Sequence, residues 1–139
     1  MVRVVIVAVV VALAFAVAYF AQRRAPDPPA RSGTDRPDQL DRSDFVRPDA
    51  PWLIAVFTSA TCDVCIDTWQ KALVLESPDV AVQQIDFPRD RALHDRYVID
   101  AVPLVLVVDA QGVVHNSFVG PVSATHLWAA VAEARGPRQ

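Results

Sequence analysis

With 139 residues the chain has room for one ordinary domain and not for two. Its net charge is −3, and residues 51–139 carry six Lys/Arg against ten Asp/Glu, which gives no basic face for nucleic acid. Two cysteines exclude both a multiply stapled secreted scaffold and a four-cysteine zinc site within one chain.

After a three-residue tail (1–3), Val4 to Ala21 is an unbroken apolar run of 18 residues, about 27 Å long as a helix. This length spans a bilayer, and Tyr19, Phe20 and the following Arg23 and Arg24 supply an interfacial belt with a basic flank. A single N-terminal transmembrane helix over 4–21 is therefore expected. The competing reading is a cleaved signal peptide, with Arg3 before the apolar run and Ala16-Val17-Ala18 as a small-x-small cleavage site. Arg3 and the terminal amine stand on one side, and Arg23, Arg24, Arg31 and Arg36 on the other. Counted literally, these charges keep the C-terminal domain in the cytoplasm. Asp27 and Asp35 dilute that flank, and the sidedness stays open between the cytoplasmic and the exported face.

Residues 22–50 contain six Arg, six Asp and five Pro, with few apolar groups before Leu40, Phe45 and Val46. That composition forms no core and predicts a semi-stiff tether, at whose end Phe45 docks on the domain.

From Trp52 the pattern changes. Trp52–Phe57 is a continuous apolar run of strand length, expected at the centre of a sheet. Cys62–Leu75 reads as a helix with Val64, Trp69, Ala72, Leu73 and Leu75 as its apolar positions, and Pro78 prevents its continuation. Val80–Asp86 reads as a second strand and Arg89–Tyr97 as a short helix with Leu93 and Tyr97 facing inward. Leu104–Val108 is the strongest β run, and Asp109-Ala110-Gln111-Gly112 offers a hairpin turn into a returning strand, Val113–Val119. Ser123 caps a last helix, Ala124–Arg135, with Leu127, Trp128 and Val131 on one face and Gly136 as the stop. The order β-α-β-α-β-β-α predicts an α/β domain over 51–139, a mixed central sheet with helices on both faces.

Cys62 and Cys65, the only cysteines, stand three residues apart where the first strand passes into a helix. At that spacing two thiols share one helix face and lie within reach of a disulfide. This junction, followed about 40 residues later by Val102-Pro103 at the start of a β-hairpin and then by Val119-Gly120 and an amphipathic helix, resembles thioredoxin. The resemblance covers about residues 51 to 136. It implies a thiol-disulfide oxidoreductase, a cis Pro103 lying against the thiols, and a Val102 backbone presented to an extended substrate chain. Clients would be protein thiols and disulfides, with a separate electron donor or acceptor; no cofactor or metal is implied, and a monomer is expected.

Helix-start N–H groups and the positive end of the helix dipole stabilise a thiolate, which makes Cys62 the nucleophile; Cys65, one turn inside, is the resolving thiol. Asp63, Val64 and Thr61 modulate the site. Asp63 and Val64 stand where thioredoxins usually carry Gly-Pro, and the Asp63 carboxylate opposes the Cys62 thiolate while also serving as a first-turn helix acid. The family's buried acid falls on Val56, and its flanking tryptophans fall on Thr58 and Thr61, which removes an apolar docking rim. The alternative function is a non-catalytic thioredoxin-like adaptor, or a metal-binding module built on the pair. His94, His115 and His126 are scattered and read as ordinary satisfied histidines, Trp69 and Trp128 as core residues, and the Arg89–Arg91 and His94–Arg96 clusters as a solvated helix face.

Overall fold

The computed structural model describes residues 1–23 and 36–136, the side chains of 18–23 excepted. The expected tether therefore lies outside the described residues from 24 to 35. The N-terminal run forms helix α1, Val2–Arg23, and its apolar side chains, Val4, Val10, Leu13 and Phe15 among them, are exposed. Among the described residues no helix is long and apolar enough to cross a membrane, so the transmembrane span expected over 4–21 is not found there.

The domain is a four-stranded sheet in the order β2-β1-β3-β4, with β1 Trp52–Ser59, β2 Val80–Phe87, β3 Leu104–Asp109 and β4 Val114–Val119. β1 pairs in parallel with β2 and antiparallel with β3, and β3 pairs antiparallel with β4. The parallel pair requires a crossover, supplied by α2, Asp63–Leu73. α3, Arg91–Arg96, connects β2 to β3, and α4, Ala124–Ala134, closes the chain, its N-terminus capped by Ser123, whose hydroxyl accepts from the His126 N–H. The expected element order is the observed one, with boundaries shifted by a few residues at most.

Strand alternation divides the core into two layers. Ile54 and Val56 of β1 face α2 and α4, packing with Ala72, Val105, Val107, Leu127 and Val131. Leu53, Ala55 and Phe57 face the opposite side, packing with Ile85, Leu104 and Leu106 and with Leu93 and Tyr97 of the α3 region. The inward face of α2 is Cys65, Thr68 and Ala72, spaced i, i+3, i+7, whereas Val64 and Leu73, expected inside, are exposed. Trp128 is likewise turned out of the core. The sheet is already covered by Leu127, Ala130 and Val131, and the Trp128 indole instead donates to the Lys71 carbonyl of α2 at 3.1 Å.

Packing begins well before residue 51, which corrects the expectation that residues 22–50 contribute no core. Leu40 and Ala50 are buried with the α3-side layer, alongside Phe45, which docks on the domain as expected and stacks on Tyr97. The lead-in segment bridges the β3–β4 turn, with the Leu40 N–H donating to the Gly112 carbonyl and the Val114 N–H to the Asp38 carbonyl. A Cβ on Gly112 would meet the Leu40 carbonyl oxygen at 1.9 Å, and the φ of +83° also demands glycine there. Arg42, buried, clamps this corner by donating to the carbonyls of Asp109 and Arg47. Arg47 then reaches the outer side of β2, donating to the carbonyls of Val80, Ser77 and Pro78. At the other end of β2, the Asp86 N–H donates to the Asp90 carboxylate, and Arg89 donates to the Gln84 carbonyl.

The β3–β4 turn is held by the Asp109 carboxylate, which accepts from the N–H groups of Gln111 and Val113 and lies 2.8 Å from His115 Nε2. Burial opposes its charge, but these hydrogen bonds, that of His115 foremost, outweigh burial and hold the carboxyl below the usual range. A carboxyl with a lower pKa folded than unfolded stabilises the protein above its unfolded value, near 3.9, and that contribution is lost as pH falls through the folded value. Asp109→Asn is expected to cost about 1–3 kcal/mol at pH 7, with the gap from wild type closing below about pH 4. Denaturant unfolding at both pH values measures this, and equal stability at pH 7 would remove Asp109 as the anchor of the turn.

Candidate active site

The thiol loop leaves the end of β1. The Thr61 N–H donates to Ser59 Oγ, and the Cys62 N–H donates to the Ser59 carbonyl at 3.0 Å, which turns the chain into α2. Cys62 occupies the position just before the helix in extended conformation, with Asp63 opening the first turn. Cys62 and Cys65 form a disulfide with Cα atoms 5.4 Å apart. The two sulfurs differ in access: Cys62 is partly exposed, whereas Cys65 is 2 % exposed. An incoming group therefore reaches Cys62 first, at the end of α2 where the helix dipole is positive.

Two neighbouring strands bring further groups to this pole of the sheet. On the β3 side, Val102–Pro103 is a cis peptide just before Leu104, which pairs with Phe57. Pro103 is buried, Val102 is half-buried, and the Pro103 carbonyl accepts from Gly120 N–H at 2.8 Å. On the β2 side, Phe87 pairs with Ser59, and its carbonyl accepts from the Ala60 N–H at 3.0 Å, which extends the ladder into the thiol loop. The Phe87–Pro88 peptide is also cis. Sequence reasoning singled out Val102 and Pro103 but not Phe87 or Pro88; a proline straight after an apolar strand end was the only signal there.

The α2 side of β1 lacks a carboxylate beneath the helix. Val56 is fully buried opposite Val105. Two residues on, buried Thr58 donates to the Asp86 carboxylate at 2.7 Å and accepts from Gln84 Nε2 at 3.2 Å, so the polar groups of this face belong to the end of β2. Thr61 and Val64 are exposed beside the pair. Among the described residues no group of three or more His, Cys, Asp or Glu is gathered to hold a metal ion. His94 is buried, Nε2 3.0 Å from the Ile85 carbonyl, and His115 pairs with Asp109 at the opposite end of β3. Arg89 and Asp90 form an exposed ion pair, as do Arg91 and Asp95, while Arg96 reaches Asp41 and Asp44.

Solved structures share this architecture. The chain is similar to a thioredoxin variant from Halobacterium salinarum at 22 % identity and a TM-score of 0.58, over 78 % of this chain and 99 % of that one. It is similar to oxidized thioredoxin O2 from Arabidopsis thaliana at 23 % identity and a TM-score of 0.54, over 68 % of this chain and 89 % of that one. Thioredoxin f2 from Chlamydomonas reinhardtii matches at 17 % identity and a TM-score of 0.55, over 72 % and 97 % of the respective chains. No family model matches the sequence, and no curated protein matches it. The domain has a thioredoxin fold, a mixed α/β sheet carrying a CxxC disulfide at the start of α2.

Asp63 places a negative charge beside the sulfur that an incoming group reaches. Two unit charges about 4 Å apart in water interact by about 1 kcal/mol, equivalent to about 20 mV for a two-electron couple. Asp63→Asn is expected to raise the reduction potential of the pair by on the order of 10–20 mV and to lower the Cys62 thiol pKa. Equilibration against a glutathione buffer reads the potential, and an unchanged value would leave Asp63 with only its first-turn helix role.

Proposed function

We propose that this protein is a thiol-disulfide oxidoreductase which exchanges the Cys62–Cys65 pair with protein thiols and is tethered to a membrane through α1. The observation that carries the activity is the unequal access of two bonded sulfurs at a helix start: one reachable, the other buried one turn behind it. In the reducing direction, the Cys62 thiolate attacks a client disulfide, whose bond breaks to release one client thiolate. The resulting mixed disulfide links Cys62 to the client. Cys65 then gives up its proton and attacks the Cys62 sulfur, which re-forms the internal disulfide and releases the second client thiol. Two electrons pass from the pair to the client, and a separate dithiol donor must return them. With an oxidised pair and a client dithiol the same steps run in reverse. The Val102 backbone, next to Pro103, is the surface on which an extended client chain would lie beside Cys62.

What supports the tether is that α1 is apolar on every side and exposed from Val4 to Val17, an arrangement stable in a hydrocarbon phase rather than in water. Deleting residues 1–23 is expected to move the protein from the carbonate-washed membrane fraction to the supernatant. Recovery of the full chain in the supernatant would end the tether reading.

Cys62→Ser should abolish exchange with protein disulfides, and Cys65→Ser should accumulate mixed disulfides through Cys62, visible on non-reducing gels. A pair that no dithiol reduces, or a Cys65→Ser variant that traps nothing, would leave the domain as a non-catalytic binding module.

A further inference from the structure

Thr58 and Thr61 give the thiol loop no apolar rim: Thr58 is buried and hydrogen-bonded to Asp86, and Thr61 is exposed and polar. The strand that pairs into this loop nevertheless ends in an aromatic residue. Phe87 ends β2 directly opposite Ser59, and the bond from the Ala60 N–H to its carbonyl fixes its backbone two residues from the start of the Cys62 turn. Phe87 is 38 % exposed, so part of its side chain is open to solvent. Its ring is also firmly backed. It meets His94 edge-on, with centroids 5.7 Å apart, and His94 is buried, edge-on to Phe57 at 5.3 Å, with Nε2 3.0 Å from the Ile85 carbonyl. Arg91 lies over the Phe87 ring at 5.9 Å, and its ion pair with Asp95 is solvent-exposed and weak enough to yield to an incoming side chain.

We propose that Phe87 is a specificity residue of the exchange reaction, receiving a bulky apolar side chain that flanks the client's cysteine. The proposal rests on the oxidoreductase reading of Cys62 and Cys65. A rigidly backed, half-open ring whose backbone is hydrogen-bonded to the thiol loop offers apolar area without the entropy cost of ordering a long side chain, which is how aromatic anchors contribute to recognition. A client with serine in that place would leave the ring wet and gain nothing from it.

The test uses the full chain, pre-reduced, in single turnovers with short peptides whose one cysteine is joined to thionitrobenzoate, carrying either leucine or serine on both sides of that cysteine. Attack by the Cys62 thiolate forms the Cys62–peptide disulfide and releases the coloured thionitrobenzoate anion; Cys65 then displaces the peptide thiol. Wild type is expected to react about tenfold faster with the leucine peptide, a difference of about 1.4 kcal/mol. Phe87→Ser should bring the two peptides within twofold of each other, while its rate with the mercaptoethanol–thionitrobenzoate disulfide, which carries no flanking side chain, stays at the wild-type value. Phe87→Leu should keep most of the preference, and Phe87→Gln supplies a second polar variant in case Phe87→Ser does not fold. Absence of a preference in wild type, or its persistence in the polar variants, overturns the proposal. Failure of wild type to react with any of the three disulfides overturns instead the oxidoreductase reading, and the proposal with it.

Discussion

The burial of β1 on both faces is the constraint on which the rest of the domain depends. Leu53 to Phe57 are fully buried, each contributing about 1.5–3 kcal/mol when large and apolar, and strands on either side satisfy the backbone. A strand so held cannot slip by one residue without turning both of its apolar rows to the wrong layer. Its far end therefore arrives in one place, and the thiol loop starts from there. The Ala60–Phe87 hydrogen bond carries the ladder one step beyond the strand. The helix that follows sets the difference between the sulfurs: Cys65 is the first residue of the buried row completed by Thr68 and Ala72, whereas Cys62 stands just before the helix in extended conformation and stays partly exposed. Access and burial at the disulfide are thus consequences of how α2 rests on the sheet.

Chemistry at this pole is distributed differently from what a carboxylate under the helix would provide. Val56 keeps the layer beneath α2 apolar, and the nearest paired carboxylate on that face, Asp86, is one strand over and engaged by Thr58. Asp63 adds a charge on the solvent side of the pair instead. Charge near the sulfurs thus comes from the exposed surface, where water and salt screen it, and the buried side contributes packing.

The succession of elements in the domain could be read from the chain because each strand was a continuous apolar run and each break carried its own chemistry: Pro78 after α2, Gly112 in the hairpin, Ser123 before α4. The site pair was legible for the same reason, since two cysteines at a strand-to-helix junction need no distant partner to be noticed. Of the lead-in segment only the docking of Phe45 was. Leu40, Phe45 and Ala50 have no common period and sit among Arg, Asp and Pro, and only the long-range bridge to Gly112 and the stacking on Tyr97 draw them into the core. Trp128 shows a different limit: an apolar residue type does not reveal whether the sheet has area left to cover. Phe87 and Asp86 acquire their neighbours through the register of β1 against β2, which no local pattern encodes.

β2 is the outermost strand on its side of the sheet, and its even-numbered residues direct backbone groups away from β1. Arg47 occupies the outward carbonyl at Val80, and Asp90 and Arg89 occupy the outward groups at Asp86 and Gln84. An eight-residue strand with a bare flank is a template on which another chain can lay a strand, and from which sheets grow between molecules. Here charged side chains from the same molecule stand at both ends of that flank, leaving too short a stretch for a foreign strand to register. The arginines and aspartate at this edge thus act against self-association, keeping the domain from polymerising with copies of itself.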